Sequence, residues 1–205
     1  MTATTVHMAV YDTLADWEVG FATAHINRES WQRQPGRYRV MTVGESREPV
    51  TTMGGMRIVP DLVLAELRPE DSAMLIMPGA DTWLEGGNVA FAKRAREFLD
   101  AGVPVAAICG ATAGLAAEGL LDERRHTSNA AEFLAGTGYR GAGHYCAEPA
   151  VTDGDLITAS AIAPVEFARE VLALLDVYEP DVLASWYKLY GLHDPAGYFE
   201  LMAAA

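Results

Sequence analysis

Basic residues are scarce in this chain. Lys and Arg number 15 against 28 Asp and Glu, a formal charge of −13. A chain this acidic repels polyanions. Its one basic cluster, Arg124-Arg125-His126, is too short for the stripe that nucleic-acid binding needs, so nucleic acid is excluded as a partner. Cysteine is scarcer still, with only Cys109 and Cys146. Two thiols do not build a disulfide framework, and they read as reduced in a cytoplasmic chain. No CxxC or HxxxH spacing supports a structural zinc site, and no metal or cofactor is expected. No run approaches the roughly 18 apolar residues of a membrane span. Met1 to Thr5 lacks a positive stretch followed by an apolar one, so no secretory signal is expected. Linker-like runs of Ser, Gly or Pro and internal repeats are also missing. The expectation is one domain over 1–205, with a helical extension from 176 to 205.

What is present is an alternation of strands and helices. Val6 to Tyr11 reads as a first strand, followed by a helix from Asp16 in which Trp17, Gly20, Phe21 and Ala24 recur at helical spacing. Arg37 to Val43 reads as a second strand, and Gly54-Gly55 as the turn of a hairpin. Asp71 to Met77 ends in an apolar run broken by Pro78-Gly79-Ala80. Val89 to Ala101 is an amphipathic helix closed by Gly102. The apolar strand Val103 to Ile108 runs straight into Cys109-Gly110, and Ala111 to Leu121 reads as the next helix. Asn129 to Ala135 and Pro164 to Leu175 also read as helical, Asp153-Gly154 as a hairpin turn, and Pro180 to Met202 as a helical tail. The fold class expected is α/β: a doubly wound sandwich on a mainly parallel sheet. In such folds ligands bind beyond the carboxyl ends of the strands. Ala15 to Glu18, Pro78 to Ala80 and Cys109-Gly110 all fall there.

Cys109 lies between a buried strand and a helix start, the setting of a nucleophile elbow with cysteine in the serine's place. A helix N-terminus offers partial positive charge and free amides, which favour a thiolate and depress its pKa. Glu18 sits at another helix start. A carboxyl beside a thiolate is pushed toward its neutral form and can hold or shuttle a proton. Asp16 reads as the cap of that helix. The amides of Gly79, Ala80 and Gly110 are candidates for an oxyanion hole. His126 follows Cys109 by one helix and is the histidine placed to fold back toward it, although its flanks equally fit an exposed loop. His144 and Cys146 would share a face if they lay on one strand, but a lone His/Cys pair makes a poor metal site.

These segments together resemble the ThiJ/PfpI family of the class I glutamine amidotransferase-like superfamily. The likeness rests on Ala107 to Thr112, on Ala15 to Glu18 and on Met77 to Ala80. Pro149 to Ser160 resembles the family's late hairpin, and the match runs from about His7 to Leu175. The resemblance implies a flavodoxin-like sandwich, a nucleophile at Cys109, a hydrogen-bonded acid at Glu18, oxyanion amides at Gly79, Ala80 and Gly110, and a homodimer. Many members carry a histidine after the cysteine helix; aligning Thr127-Ser128 with that stretch puts Asn129 in its place, with His126 three residues early. Protease-like members often have histidine directly after the cysteine, where this chain has Gly110.

The function expected first is a cysteine-dependent, hydrolase- or amidase-like enzyme acting on a small carbonyl or amide electrophile. Glyoxalase-like or isonitrile-hydratase-like lyase chemistry is the alternative within the family. A thiol redox sensor or stress-response protein without turnover is the alternative outside catalysis. A glutamine amidotransferase subunit ranks last, because the His-Glu pair it needs is not located.

Overall fold

The structure is a computed structural model that describes residues 4–204. Met1 to Ala3 and Ala205, the ends of the expected domain, lie outside the described residues. The chain runs β1 (Thr4–Ala9), α1 (Asp16–Asn27), β2 (Tyr38–Gly44), β3 (Val50–Thr51), β4 (Arg57–Ile58), β5 (Leu62–Val63) and β6 (Ser72–Met77). It continues α2 (Val89–Asp100), β7 (Val105–Ile108), α3 (Gly110–Ala117), α4 (Ala131–Ala135), β8 (Ala150–Asp153) and β9 (Leu156–Ala159). Three helices close it: α5 (Pro164–Leu174), α6 (Pro180–Tyr190) and α7 (Ala196–Ala203).

Seven strands pair in the order β5-β2-β1-β6-β7-β9-β8. All neighbours are parallel except β8 and β9. This is the flavodoxin-like doubly wound sheet expected from the sequence. Its central strands are buried toward their carboxyl ends: Met74 to Met77 on β6 and Val105 to Ile108 on β7 are all 0% exposed. Strands covered on both faces must be apolar at every position rather than at alternate ones. Helix α1 packs on α5, α5 on α6 and α6 on α7, while α2 packs on α3. On α2 the buried Phe91, Ala92, Ala95, Phe98 and Leu99 form one apolar stripe.

The sheet order reverses between β1 and β6. Chain leaving β1 turns one way and chain leaving β6 the other, which opens a crevice above their carboxyl ends. The site described below sits there, and β7 adds Cys109 from the adjacent strand end.

Several boundaries move from the sequence reading. Helix α3 stops at Ala117 rather than Leu121. Gly119 takes a positive φ, and the amides of Gly119 and Leu120 fold back on the carbonyls of Ala116 and Leu115, a glycine-terminated helix end. The β8–β9 turn is Gly154-Asp155, one residue later than expected, because Asp153 pairs with Leu156. Helix α4 begins at Ala131, after Asn129. The tail is two helices rather than one: His193 takes φ 56 and Pro195 cannot continue α6. A Cβ on Gly197 would lie 2.5 Å from the Ser185 carbonyl oxygen, so glycine there lets α7 lie directly against α6. No helix among the described residues is long and apolar enough to cross a membrane.

The tail is docked by a buried polar trio. Trp186, fully buried, donates Nε1–H to His25 Nε2 at 3.0 Å, and His25 Nδ1 lies 2.7 Å from the Tyr178 hydroxyl. Accepting at Nε2 fixes the neutral tautomer that carries its proton on Nδ1. Burial, with Arg28 as a lesser cause, pushes His25 down to about 4. Replacing Trp186 with Phe keeps the ring packing but strands His25 Nε2. The expected loss is about 1–3 kcal/mol of stability, read as a lower urea midpoint at unchanged slope.

Candidate functional site

The site is built from the three strand ends. Cys109 follows β7 with φ 58 and ψ −125, a strained conformation for a residue with a side chain. It is held from both sides. Its amide donates to the Ala159 carbonyl at 3.0 Å. Its carbonyl accepts from the Thr112 amide at 3.1 Å and the Thr112 hydroxyl at 2.6 Å, and that hydroxyl lies 2.7 Å from Ser128 Oγ. These bonds hold the sharp turn that lifts the thiol above the sheet, as an elbow requires.

Glu18 comes from the first turn of α1 and is 0% exposed. Its Oε2 accepts the Gly79 amide at 2.6 Å. Its Oε1 is buried and without a hydrogen-bond partner. A side chain on Gly79 would come within 2.9 Å of both Cys109 Sγ and Glu18 Oε1, so thiol and carboxyl border one small space that glycine leaves open. Burial pushes Glu18 up to about 7 against the downward pulls of the Gly79 amide and, to a lesser extent, of the neighbouring Cys109 thiol. A buried carboxyl near neutrality can take or give a proton at working pH.

The thiol departs from the expectation of a depressed pKa. Burial first, and the charge of the Glu18 carboxylate second, push Cys109 up to about 11. Hydrogen bonds from Asn129 and the Gly110 amide pull it down without compensating. The start of α3 does supply a donor, but desolvation and a like charge outweigh it. With Glu18 ionised, Cys109 therefore rests as a thiol beside a base.

Asn129 is the residue whose role at the thiol was not read from the chain's own pattern. Its Nδ2 donates to Cys109 Sγ at 3.4 Å and its Oδ1 accepts from the Ala161 amide at 2.9 Å. Having no titratable ring, it can orient and donate but cannot act as a base. Replacing Asn129 with Leu removes a donor to sulfur. Alkylation of Cys109 at pH 8 is expected to slow about tenfold, measured thiol by thiol by mass spectrometry.

His126 is not an exposed loop residue. It is 0% exposed, with Nδ1 2.7 Å from the Arg124 carbonyl, Nε2 3.3 Å from the Tyr139 hydroxyl, and Tyr139 and Tyr145 edge-on to its ring. Its amide and carbonyl also pair with the 144–146 segment. Both ring nitrogens serve this local cluster, and the ring is not brought to Cys109. His144 closes a short 3-10 turn rather than lying on a strand with Cys146. Asp16 does not cap its own helix. Its Oδ2 accepts the Gly54 amide at 2.7 Å and ties the β3–β4 hairpin to α1.

The oxyanion amides also divide differently from the expectation. The Gly79 amide is taken by Glu18, which removes it from the set. Ala80 and Gly110 remain beside the thiol, lining a cleft of about 80 Å³ with Ala15, Trp17, Leu84 and Phe133. Beneath it the Tyr11 hydroxyl and Trp83 Nε1 both donate to the Pro78 carbonyl, with Trp83 Nε1 also 3.0 Å from the Tyr11 hydroxyl. This brace fixes the turn that carries Gly79 and Ala80.

Comparison with known proteins gives a consistent picture. The model of the DJ-1/PfpI family matches residues 4–174. A Bacillus subtilis (strain 168) protein named "Uncharacterized protease YoaZ" is 44% identical over 200 residues, covering 96% of this chain and 95% of that one. A second from the same organism, "Uncharacterized protease YdeA", is 33% identical over 175 residues, covering 84% and 83%. The crystal structure of a thiJ/pfpI family protein from Bacillus anthracis superposes with a TM-score of 0.92 at 43% identity, covering 100% of this chain and 98% of that one.

Proposed function

The chain belongs to the DJ-1/PfpI family, and from that premise we propose that it is a cysteine-dependent hydrolase of small amides or related carbonyl compounds. The observation that carries this reading is the buried Glu18 Oε1, which borders the same small space as Cys109 Sγ and is bonded to nothing else. The protease names of the two relatives point to the same broad class.

The chemistry follows from the proton inventory. The Glu18 carboxylate takes the thiol proton as Sγ bonds to the carbonyl carbon, and the carbonyl π pair moves onto oxygen. The Ala80 and Gly110 amides hold that oxyanion. Collapse re-forms the carbonyl and breaks the carbon–nitrogen bond, while the Glu18 carboxyl gives its proton to the departing amine. Water then attacks the thioester and loses a proton to Glu18. Collapse of the second oxyanion releases the acid, and the proton returns to sulfur.

One alternative loses ground on the geometry. Glyoxalase-like proton transfer between carbons favours a second base, and the side chain that hydrogen-bonds Cys109 Sγ is Asn129, which cannot act as one. The test is acid-quench trapping with a panel of small amides and esters, followed by peptide mass analysis. The expected result is an acyl mass on the Cys109 peptide and none on that of Cys146. Turnover without an adduct at Cys109 would overturn the reading.

A further inference from the structure

We infer that Thr13 is a positioning residue for the oxyanion hole: its hydroxyl holds the turn that aims the Ala80 amide at the Cys109 site. The inference rests on the reading given above, in which the Ala80 and Gly110 amides receive the oxyanion.

The backbone of Thr13 is unusual for its residue type. Its φ is 63, a left-handed conformation that glycine adopts freely and a β-branched residue rarely does. Strain of this kind persists only where the surroundings over-determine it. Here the side chain itself is engaged. Thr13 Oγ1 accepts the Asp81 amide at 2.9 Å and the Thr82 amide at 3.3 Å, while the Thr13 amide donates to the Thr51 carbonyl at 2.8 Å. Glycine would suit this backbone better but would leave the Asp81 and Thr82 amides without that acceptor.

Those two amides directly follow Ala80, so what holds them holds Ala80. Leu14 and Ala80 form an isolated antiparallel bridge, flanked by the Ala15 amide donating to the Gly79 carbonyl at 2.9 Å. A bond between the flanking residues makes Leu14 and Ala80 a non-hydrogen-bonded pair, whose own N–H and C=O groups point away from each other. On one side the Leu14 carbonyl accepts the Met53 amide at 2.9 Å. On the other, Ala80 is extended (φ −161, ψ 157) and turns its groups toward the Cys109-Gly110 turn, where a Cβ on Gly110 would lie 3.2 Å from the Ala80 carbonyl oxygen. The peptide before Ala80 is thus pinned by Ala15 through the Gly79 carbonyl, and the peptide after it by Thr13 through the Asp81 amide. Removing the Thr13 hydroxyl releases one of these two pins. An oxyanion donor is effective only when it is already fixed where the charge will develop.

The test compares two reactions of Cys109, only one of which places charge on a carbonyl oxygen. With iodoacetamide, sulfur bonds to the methylene carbon, iodide leaves with the bonding pair and the thiol proton goes to solvent. With propionaldehyde, sulfur bonds reversibly to the carbonyl carbon, the π pair moves onto oxygen and the thiol proton ends there, giving a hemithioacetal. The aldehyde Kd is read as protection of the Cys109 peptide from alkylation, by mass spectrometry. In Thr13→Ala and Thr13→Gly that Kd should weaken about tenfold, less than the roughly 10²- to 10³-fold cost of losing an oxyanion donor outright. Any amide or ester turnover should fall in kcat by a similar factor at nearly constant KM, because the lost interaction belongs to the transition state. Alkylation without aldehyde should keep its wild-type rate. Thr13→Ser keeps the oxygen and should restore the aldehyde affinity. Thr13→Gly sheds the left-handed strain, so its urea midpoint should be no lower than that of Thr13→Ala, and yet it should lose as much affinity. The inference falls if the wild type shows no protection, if Thr13→Gly holds the aldehyde as tightly as wild type, if alkylation declines in step, or if serine fails to restore the affinity. The hydrolase reading is decided separately. The expected aldehyde pattern with no amide or ester ever turned over supports the role of Thr13 and sinks that reading, whereas turnover with an unmoved aldehyde Kd does the reverse.

Discussion

Replacing Glu18 with Gln should cut turnover by about 10²- to 10⁴-fold, the range of a lost general base, while leaving the chain more stable at alkaline pH. The wild-type rate should rise with pH through about 7 as Glu18 loses its proton, because only the carboxylate can accept the thiol proton. In the variant that limb should vanish. The thiol itself should move the other way. The carboxylate's charge is the second cause that raises Cys109 toward 11, so a neutral side chain should let the thiol ionise at lower pH. Reduced turnover together with a more acidic thiol is a combination that simple disruption of the site does not produce. A thiol pKa that rises in the variant would contradict the assignment of Glu18 as base.

The stability half of that prediction follows from linkage. Glu18 titrates near 4.5 when unfolded and near 7 when folded. Between those values the folded chain binds the extra proton, so stability falls as pH rises from 4.5 to 7. By pH 8 the buried carboxylate costs about 3 kcal/mol. Gln cannot ionise and escapes this cost. Urea unfolding at pH 4 and pH 8 should show the variant gaining on wild type at the higher pH alone. Retention of a destabilising carboxylate in the core fits a site where function takes precedence over stability.

The framework of this site was legible in the sequence because strand ends are. Continuous apolar runs as short as those on β6 and β7, bounded by turn residues, read as strands covered on both faces, and each stops at a glycine-bearing turn. Parallel strands bring those turns to one edge, so Cys109, Gly79 and Glu18 could be placed together without coordinates. Side-chain partnerships were not legible in the same way. Nothing in Pro78-Gly79-Ala80 says that the Gly79 amide points at Glu18 rather than at a substrate; that depends on how α1 lies across the sheet. The pairing of Asn129 with sulfur likewise depends on α4 starting two residues later than helical spacing suggests. His126 illustrates the converse. Its sequence neighbours Arg124 and Arg125 look solvent-facing, but Tyr139 and Tyr145 from a later loop bury its ring. The raised pKa of Cys109 was hidden for a related reason: helix starts can be seen in a sequence, whereas the degree of burial that opposes them cannot.

Gly79→Ala is expected to lower turnover by at least about 10²-fold, the scale of an ångström-sized displacement at reacting groups. A Cβ there would sit 2.7 Å from Cys109 Cβ and 2.9 Å from both Sγ and Glu18 Oε1. All three contacts are closer than atoms of these kinds tolerate, and none of the three partners is free to yield. Cys109 is pinned by Thr112 and Ala159, and Glu18 is enclosed by α1 and tied to the Gly79 amide itself. The added methyl must therefore part thiol from carboxyl or shift the Pro78–Ala80 turn. The strain should also cost about 1–3 kcal/mol of stability. Gly20→Ala provides the control. It lies on α1 two residues from Glu18, a Cβ there meets nothing within 4 Å, and alanine in a helix should add about 0.5–1 kcal/mol with turnover unchanged. Equal activity in the two variants would mean that close contact between Cys109 and Glu18 is dispensable. Loss confined to Gly79→Ala, with Cys109 alkylation losing its dependence on Glu18, would tie the activity to the space that this one missing side chain leaves open.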